Sequence, residues 1–151
     1  MMNHFTVQLM ILFPLMMVAA STGNSGSYFR METESLLPAC PDTPNCVSSL
    51  AKDPAKRVDP FPVKTDPASS MDLLKDIVTS MPRTTIISKS ETRIESEFRS
   101  ILGFVDDVLF VVSSDGRVIH VRSASRKGSW DLGVNRRRVE KIRVMYLRDS
   151  E

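Results

Sequence analysis

The residues whose types and spacing suit chemistry lie between Glu97 and Arg138. They are Glu97 and Arg99 in E-F-R-S, Asp106 and Asp107 in F-V-D-D-V, and the series Arg122, Ser123, Ser125, Arg126, Asp131, Asn135 and Arg136. The chemistry they suggest is anion recognition. Guanidinium groups are forked donors that match carboxylates and phosphates, and a loop opening a helix adds unpaired N–H groups at a positive dipole end. The candidate ligand-binding set is therefore Glu97, Arg99, Asp107, Arg122, Ser125, Arg126, Asp131, Asn135 and Arg136. The competing reading makes the same stretch a brace. In it Asn135 caps a helix, Asp131 pairs an arginine, and Ser123 and Ser125 satisfy loop amides.

Other chemistries fit less well. His120 and Ser123 fall on opposite faces of one strand, which separates the parts of a Ser/His/Asp mechanism. Asp106 and Asp107 are adjacent in a strand, so without a bulge they are no acid and base pair. Gly128 and Gly133 lack the spacing of a nucleotide loop. His120 is the sole histidine beyond residue 20, so a closed zinc site would have to borrow carboxylates. No metal, cofactor or catalytic residue is assigned. Trp130 is either a lid on the core or a stacking surface.

These side chains need elements to hold them. Asp66 and Pro67 read as the N-cap and first residue of a helix carrying Met71, Leu74, Ile77, Val78 and Met81, which Pro82 ends. From Thr84 the period becomes two. Strands are predicted over 84–88, 92–99, 104–112 and 117–123, with Gly103 in a turn and Ser113–Gly116 as a hairpin turn. Alternation sends Glu97 and Arg99 away from Phe98, and Asp107 away from Asp106. A second helix begins near Val134 with Val139, Ile142, Met145 and Tyr146 inward and Arg137, Lys141 and Arg148 outward. The fold class is α+β, an antiparallel sheet of about four strands flanked by an N-terminal and a C-terminal helix. Residues 52–68, with four prolines, read as an extended segment wrapping the domain.

The chain has 151 residues, 42% hydrophobic and 25% charged, which suits one domain with one core. Residues 1–20 hold no Lys, Arg, Asp or Glu and end in small residues, the pattern of a secretory signal peptide cleaved after Ala20. An uncleaved anchor is the alternative, though Pro14 interrupts a run shorter than the ~20 apolar residues of a spanning helix. Leu37-Pro38-Ala39-Cys40 is no lipoprotein site, because residues 21–39 separate it from the apolar segment. That intervening stretch reads as a flexible lead-in, and residues 40–148 as the domain. Cys40 and Cys46 flank a loop with two prolines; a disulfide is preferred, ahead of free or redox thiols and of metal. From Arg117 to Arg148 ten Lys and Arg face two acidic residues, a balance of +8 within a total of +2. That asymmetry favours an anionic partner on this side or a solvated basic helix face. Nucleic acid is disfavoured, for no aromatic-laced sheet motif accompanies the basic run.

C-P-D-T-P-N-C-V-S-S at 40–49, E-F-R-S at 97–100, F-V-D-D-V at 104–108 and V-I-H-V-R-S-A-S-R-x-G-x-x-D-x-G-V-N-R-R-R at 118–138 stand in this order. Together they resemble the domain-of-unknown-function 1499 family over about residues 40–143. The resemblance implies no reaction; members of that family look like exported bacterial proteins and plastid-targeted ones. The expectation is an exported protein of the periplasm or cell envelope. Its charged sheet face and 122–138 loop would bind a small anion, or an anionic surface such as lipid headgroups or wall polymer. The alternatives are a hydrolase-like enzyme on an anionic substrate, and a partner-binding domain with a buried Arg/Asp network.

Overall fold

Period-two alternation sorts the central strands into an apolar face and a charged one, and the helices follow the apolar face. The computed structural model describes residues 37–148; the signal-peptide segment and most of the lead-in lie outside them. In chain order the elements are β1 (Cys46–Ser48), β2 (Phe61–Pro62), α1 (Pro67–Ser80), β3 (Thr84–Lys89), β4 (Arg93–Arg99), β5 (Val105–Val112), β6 (Val118–Ser125) and α2 (Val134–Arg148). The sheet runs β1-β6-β5-β4-β3, with β2 also on β6, and every pairing is antiparallel.

The sheet thus has six strands rather than about four. The two unforeseen ones are β1, of three residues, and β2, of two. Segments that short carry no periodicity; they are strands because β6 offers them an edge. β6 also runs two residues past the predicted end, to Ser125.

One face of the sheet carries Ile94, Phe98, Val108, Phe110, Ile119 and Val121, which pack against Met71, Leu74, Ile77 and Val78 of α1 and Val139, Ile142 and Tyr146 of α2. Burying each large aliphatic side chain contributes about 1.5 to 3 kcal/mol. Asp66 accepts from the Ser69 amide at 2.9 Å, and with Pro67 it starts α1 as the sequence predicts. The predicted hairpin turn also forms, with Gly116 at φ +69°.

Side chains of α2 hold the proline-rich segment before α1. The Tyr146 hydroxyl donates to the Pro62 carbonyl at 2.8 Å, and Arg143 donates to the Pro60 carbonyl at 2.9 Å while lying over the Phe61 ring. Arg136 donates to the carbonyls of Ala55 and Arg57 at 2.6 and 2.8 Å. Cys40 and Cys46 form a disulfide, their Cα atoms 5.6 Å apart. It ties the incoming segment to β1.

Candidate functional site

Strand parity divides the nine candidate residues between the two faces of the sheet. On the helix side, Asp106 of β5 is the register partner of Ser125 of β6. Ser125, Asp131 and Asn135 meet there in a network that includes residues outside the predicted set. The Asn135 amide donates to Asp131 at 2.7 Å, the Ser125 hydroxyl at 3.0 Å and the Asn45 carbonyl at 3.1 Å. Its oxygen accepts from Ser123 and from Arg138 at 2.7 Å. Arg138 continues to Asp106 at 2.5 Å, the two side chains only 10% and 8% exposed. The guanidinium lies 4.7 Å from the Phe98 ring centroid.

This network corrects the expected roles at the helix start. Asn135 does not cap α2; it is inside the helix and fully buried. Asp131 is the cap. Its carboxylate accepts from the amides of Gly133 at 2.8 Å and Asn135 at 2.9 Å, and its neighbour across the network, Arg138, pairs with Asp106 instead. Burial works against that charge, yet the Asn135 and Gly133 amides and the Asn135 side chain hold the carboxyl below its usual range. The helix end foreseen as an anion seat thus already holds a carboxylate from the chain itself. Arg136, foreseen as a donor to the anion, braces the 55–57 carbonyls instead.

On the opposite face Glu97 and Asp107 are register partners; alternation requires only that one of the two adjacent aspartates face this charged side, and the register makes it Asp107. Arg126 reaches back from beyond β6 and grips Asp107 with Nε at 2.9 Å and Nη2 at 2.7 Å, while Nη2 also donates to Glu97. Arg99 takes the other Glu97 oxygen at 3.1 Å. Asp107 first, and Glu97 with it, hold the Arg126 guanidinium in its charged form more firmly than usual. Two carboxylates are thereby saturated by two arginines.

Arg122 is the third arginine of this face, between Leu109 of β5 and Ser48 of β1. Its Nε is the single buried side-chain polar atom among the described residues that has no hydrogen-bond partner. Burial favours the neutral guanidinium, and the charge of nearby Asp107 acts against that; burial prevails, lowering the pKa. Both Asp107 oxygens accept from Arg126, and neither is within hydrogen-bond reach of Arg122 Nε. Two residues along β6, His120 Nδ1 lies 3.1 Å from the Ser49 hydroxyl, and burial pushes the imidazole below its ordinary pKa.

Sequence reasoning missed Arg138, Asn45 and Ser49. Helical phase could have found Arg138, which lies beside the Asn135, Val139 and Ile142 stripe. Ser49 gave no local signal, being 71 residues from His120. Trp130 is no lid on the core, for it is among the exposed large side chains. A cavity of about 470 Å³ lies between the 37–42 segment and the 50–56 turn, lined by Leu37, Cys40, Ser48, Leu50, Asp53 and Lys56 among others, and it contains none of the nine candidates.

Among the described residues no three His, Cys, Asp or Glu side chains gather as a metal site, and no helix is long and apolar enough to cross a membrane. A family model described as "Protein of unknown function (DUF1499)" matches residues 36–145. Comparison with curated proteins and with solved structures gave no match.

Proposed function

We propose that this protein, which belongs to the family described as Protein of unknown function (DUF1499), binds a small anion at Arg122 on the helix-free face of its sheet. The observation that carries this reading is the buried Arg122 Nε without a partner. A buried donor left unsatisfied costs about 1 to 3 kcal/mol, and more when charged, so this atom gains from any acceptor that reaches it, an ordered water or a bound anion. The charge count agrees. Glu97 and Asp107 balance Arg99 and Arg126, which leaves Arg122 as the surplus cation. A carboxylate or a phosphate is the complementary chemistry. The setting proposed is the periplasm or cell envelope, on the strength of the charge-free apolar N-terminal segment and the Cys40–Cys46 disulfide.

The Ser49–His120 contact favours a second reading, a hydrolase-like enzyme acting on an anion held at Arg122. Against it, the Ser49 hydroxyl is also engaged by the Val121 amide at 3.0 Å and the Val121 carbonyl at 3.4 Å, which suits a strand-end pin. Thermal unfolding at constant ionic strength tests the binding reading with phosphate, sulfate and carboxylates. Wild type should gain stability by mass action, about 2.7 kcal/mol at a hundredfold excess over Kd. Arg122→Met and Arg122→Gln should gain none. Equal gains in all three proteins would refute a seat at Arg122.

A further inference from the structure

Five large apolar side chains stand exposed at one end of the sheet. Ile101 and Leu102 are 85% and 83% exposed, Phe104 is 53%, Trp130 is 73% and Leu132 is 70%. They come from two loops that the topology brings together. Residues 100–104 form the β4–β5 turn, closed by Ser100 N–H to the Phe104 carbonyl at 2.8 Å and Gly103 N–H to the Ser100 carbonyl at 3.1 Å. The loop leaving β6 starts beside that turn, since the Arg126 amide donates to the Val105 carbonyl at 3.0 Å. Asn45 anchors the second loop through the Gly128 carbonyl, and Arg137 does so through the Leu132 carbonyl at 2.8 Å.

The charges around these tips have one outward sign. Arg83, Arg99, Arg126, Lys127 and Arg137 are exposed at the same end. The nearby carboxylates are paired, Glu97 with Arg99 and Arg126, Asp107 with Arg126, and Asp131 with the first amides of α2, which leaves Arg83, Lys127 and Arg137 as the outward charge. Single exposed apolar residues need no explanation, but a contiguous set with a charged rim marks an interaction surface. Projecting tips that carry aliphatic residues and a tryptophan, ringed by Lys and Arg, match a bilayer interface. There the apolar tips enter the acyl boundary and the cations meet anionic headgroups. A protein partner of ordinary size would instead meet a broader apolar core with a polar rim.

We infer that the Ile101–Phe104 turn and the Trp130–Leu132 loop dock this domain on an anionic lipid bilayer, with Arg83, Lys127 and Arg137 against the headgroups. The inference is independent of the Arg122 seat, which lies in the strand region and contributes no tip residue. Trp130 is the one tryptophan of the chain, so its fluorescence reports this surface alone. The full chain is titrated with vesicles of neutral phosphatidylcholine, and with vesicles containing about one-third phosphatidylglycerol. Trp130 emission should shift to the blue with the anionic vesicles only, and ~1 M salt should suppress the shift by screening. The Ile101→Ser/Leu102→Ser pair should weaken partitioning on the order of tenfold or more, with unchanged circular dichroism.

Three results would overturn the proposal. One is unchanged emission with anionic vesicles. Another is binding that the double substitution leaves intact, which assigns adhesion to another part of the chain. The last is a blue shift that follows protein concentration without lipid, which assigns the tips to a second copy.

Discussion

His120 and Arg122 occupy the same face of β6, and burial opposes charge on both. For His120 this has a consequence that solution work can read. Its folded-state pKa lies below the ordinary ~6.5, so folding favours the neutral ring. The stabilisation is complete above the unfolded pKa and is lost as pH falls through that value toward the folded one. Wild type should therefore lose stability as pH falls from about 7 through the unfolded pKa of ~6.5, measured as urea midpoints across a pH series. His120→Gln should flatten that window. An identical pH profile in both proteins would show that His120 carries no such linkage. Arg122 titrates far above this range, so it stays a fixed cation throughout, and any anion affinity it confers should persist where His120 changes charge.

At the scale of elements, the pair that matters most is Arg138 of α2 with Asp106 of β5, which locks the helix to the sheet beneath the Asn135 network. Arg138→Ala leaves a buried carboxylate without its cation and should cost about 3 to 5 kcal/mol in urea unfolding. A loss under 1 kcal/mol would show the network to be solvated. This pair also shows what the chain makes legible before folding. Alternation is a local rule, so it separated Asp106 from Asp107 and left one of them on the Glu97 face; which one depends on the β4–β5 register, which pairs Glu97 with Asp107. It equally kept Ser123 from His120. The helix-start roles were harder, because Asp131, Asn135 and Arg138 divide capping, bridging and pairing according to which partner each reaches. Those partners include Asn45, 90 residues from Asn135. β1 and β2 were beyond local reading for the same reason: an edge supplied from across the chain makes them strands. Ser49 meets His120 only through that same β1–β6 pairing.

For the whole molecule, the arginines that made the C-terminal third look like a binding surface are largely internal fasteners. Arg136 and Arg143 hold backbone carbonyls of residues 55–60, Arg138 is buried, and Arg126 is gripped by two carboxylates. The surplus that remains is Arg122 on the helix-free face and the exposed cations around the loop tips. A protein of this build, proposed to work outside the cytoplasm, should be isolated with its mature start near Ser21 and a mass two hydrogens light for the Cys40–Cys46 bond. Intact mass spectrometry checks both, and an intact Met1 with two free thiols would contradict them. The central claim is the anion seat, and its most direct test is the Arg122 Nε–H resonance, assigned through Arg122→Met and followed by nitrogen-15 correlation spectroscopy during phosphate and carboxylate titrations. The account predicts a saturable downfield shift of that one resonance as the buried donor gains an acceptor. An Arg122 signal that stays fixed while other arginine signals move would contradict it.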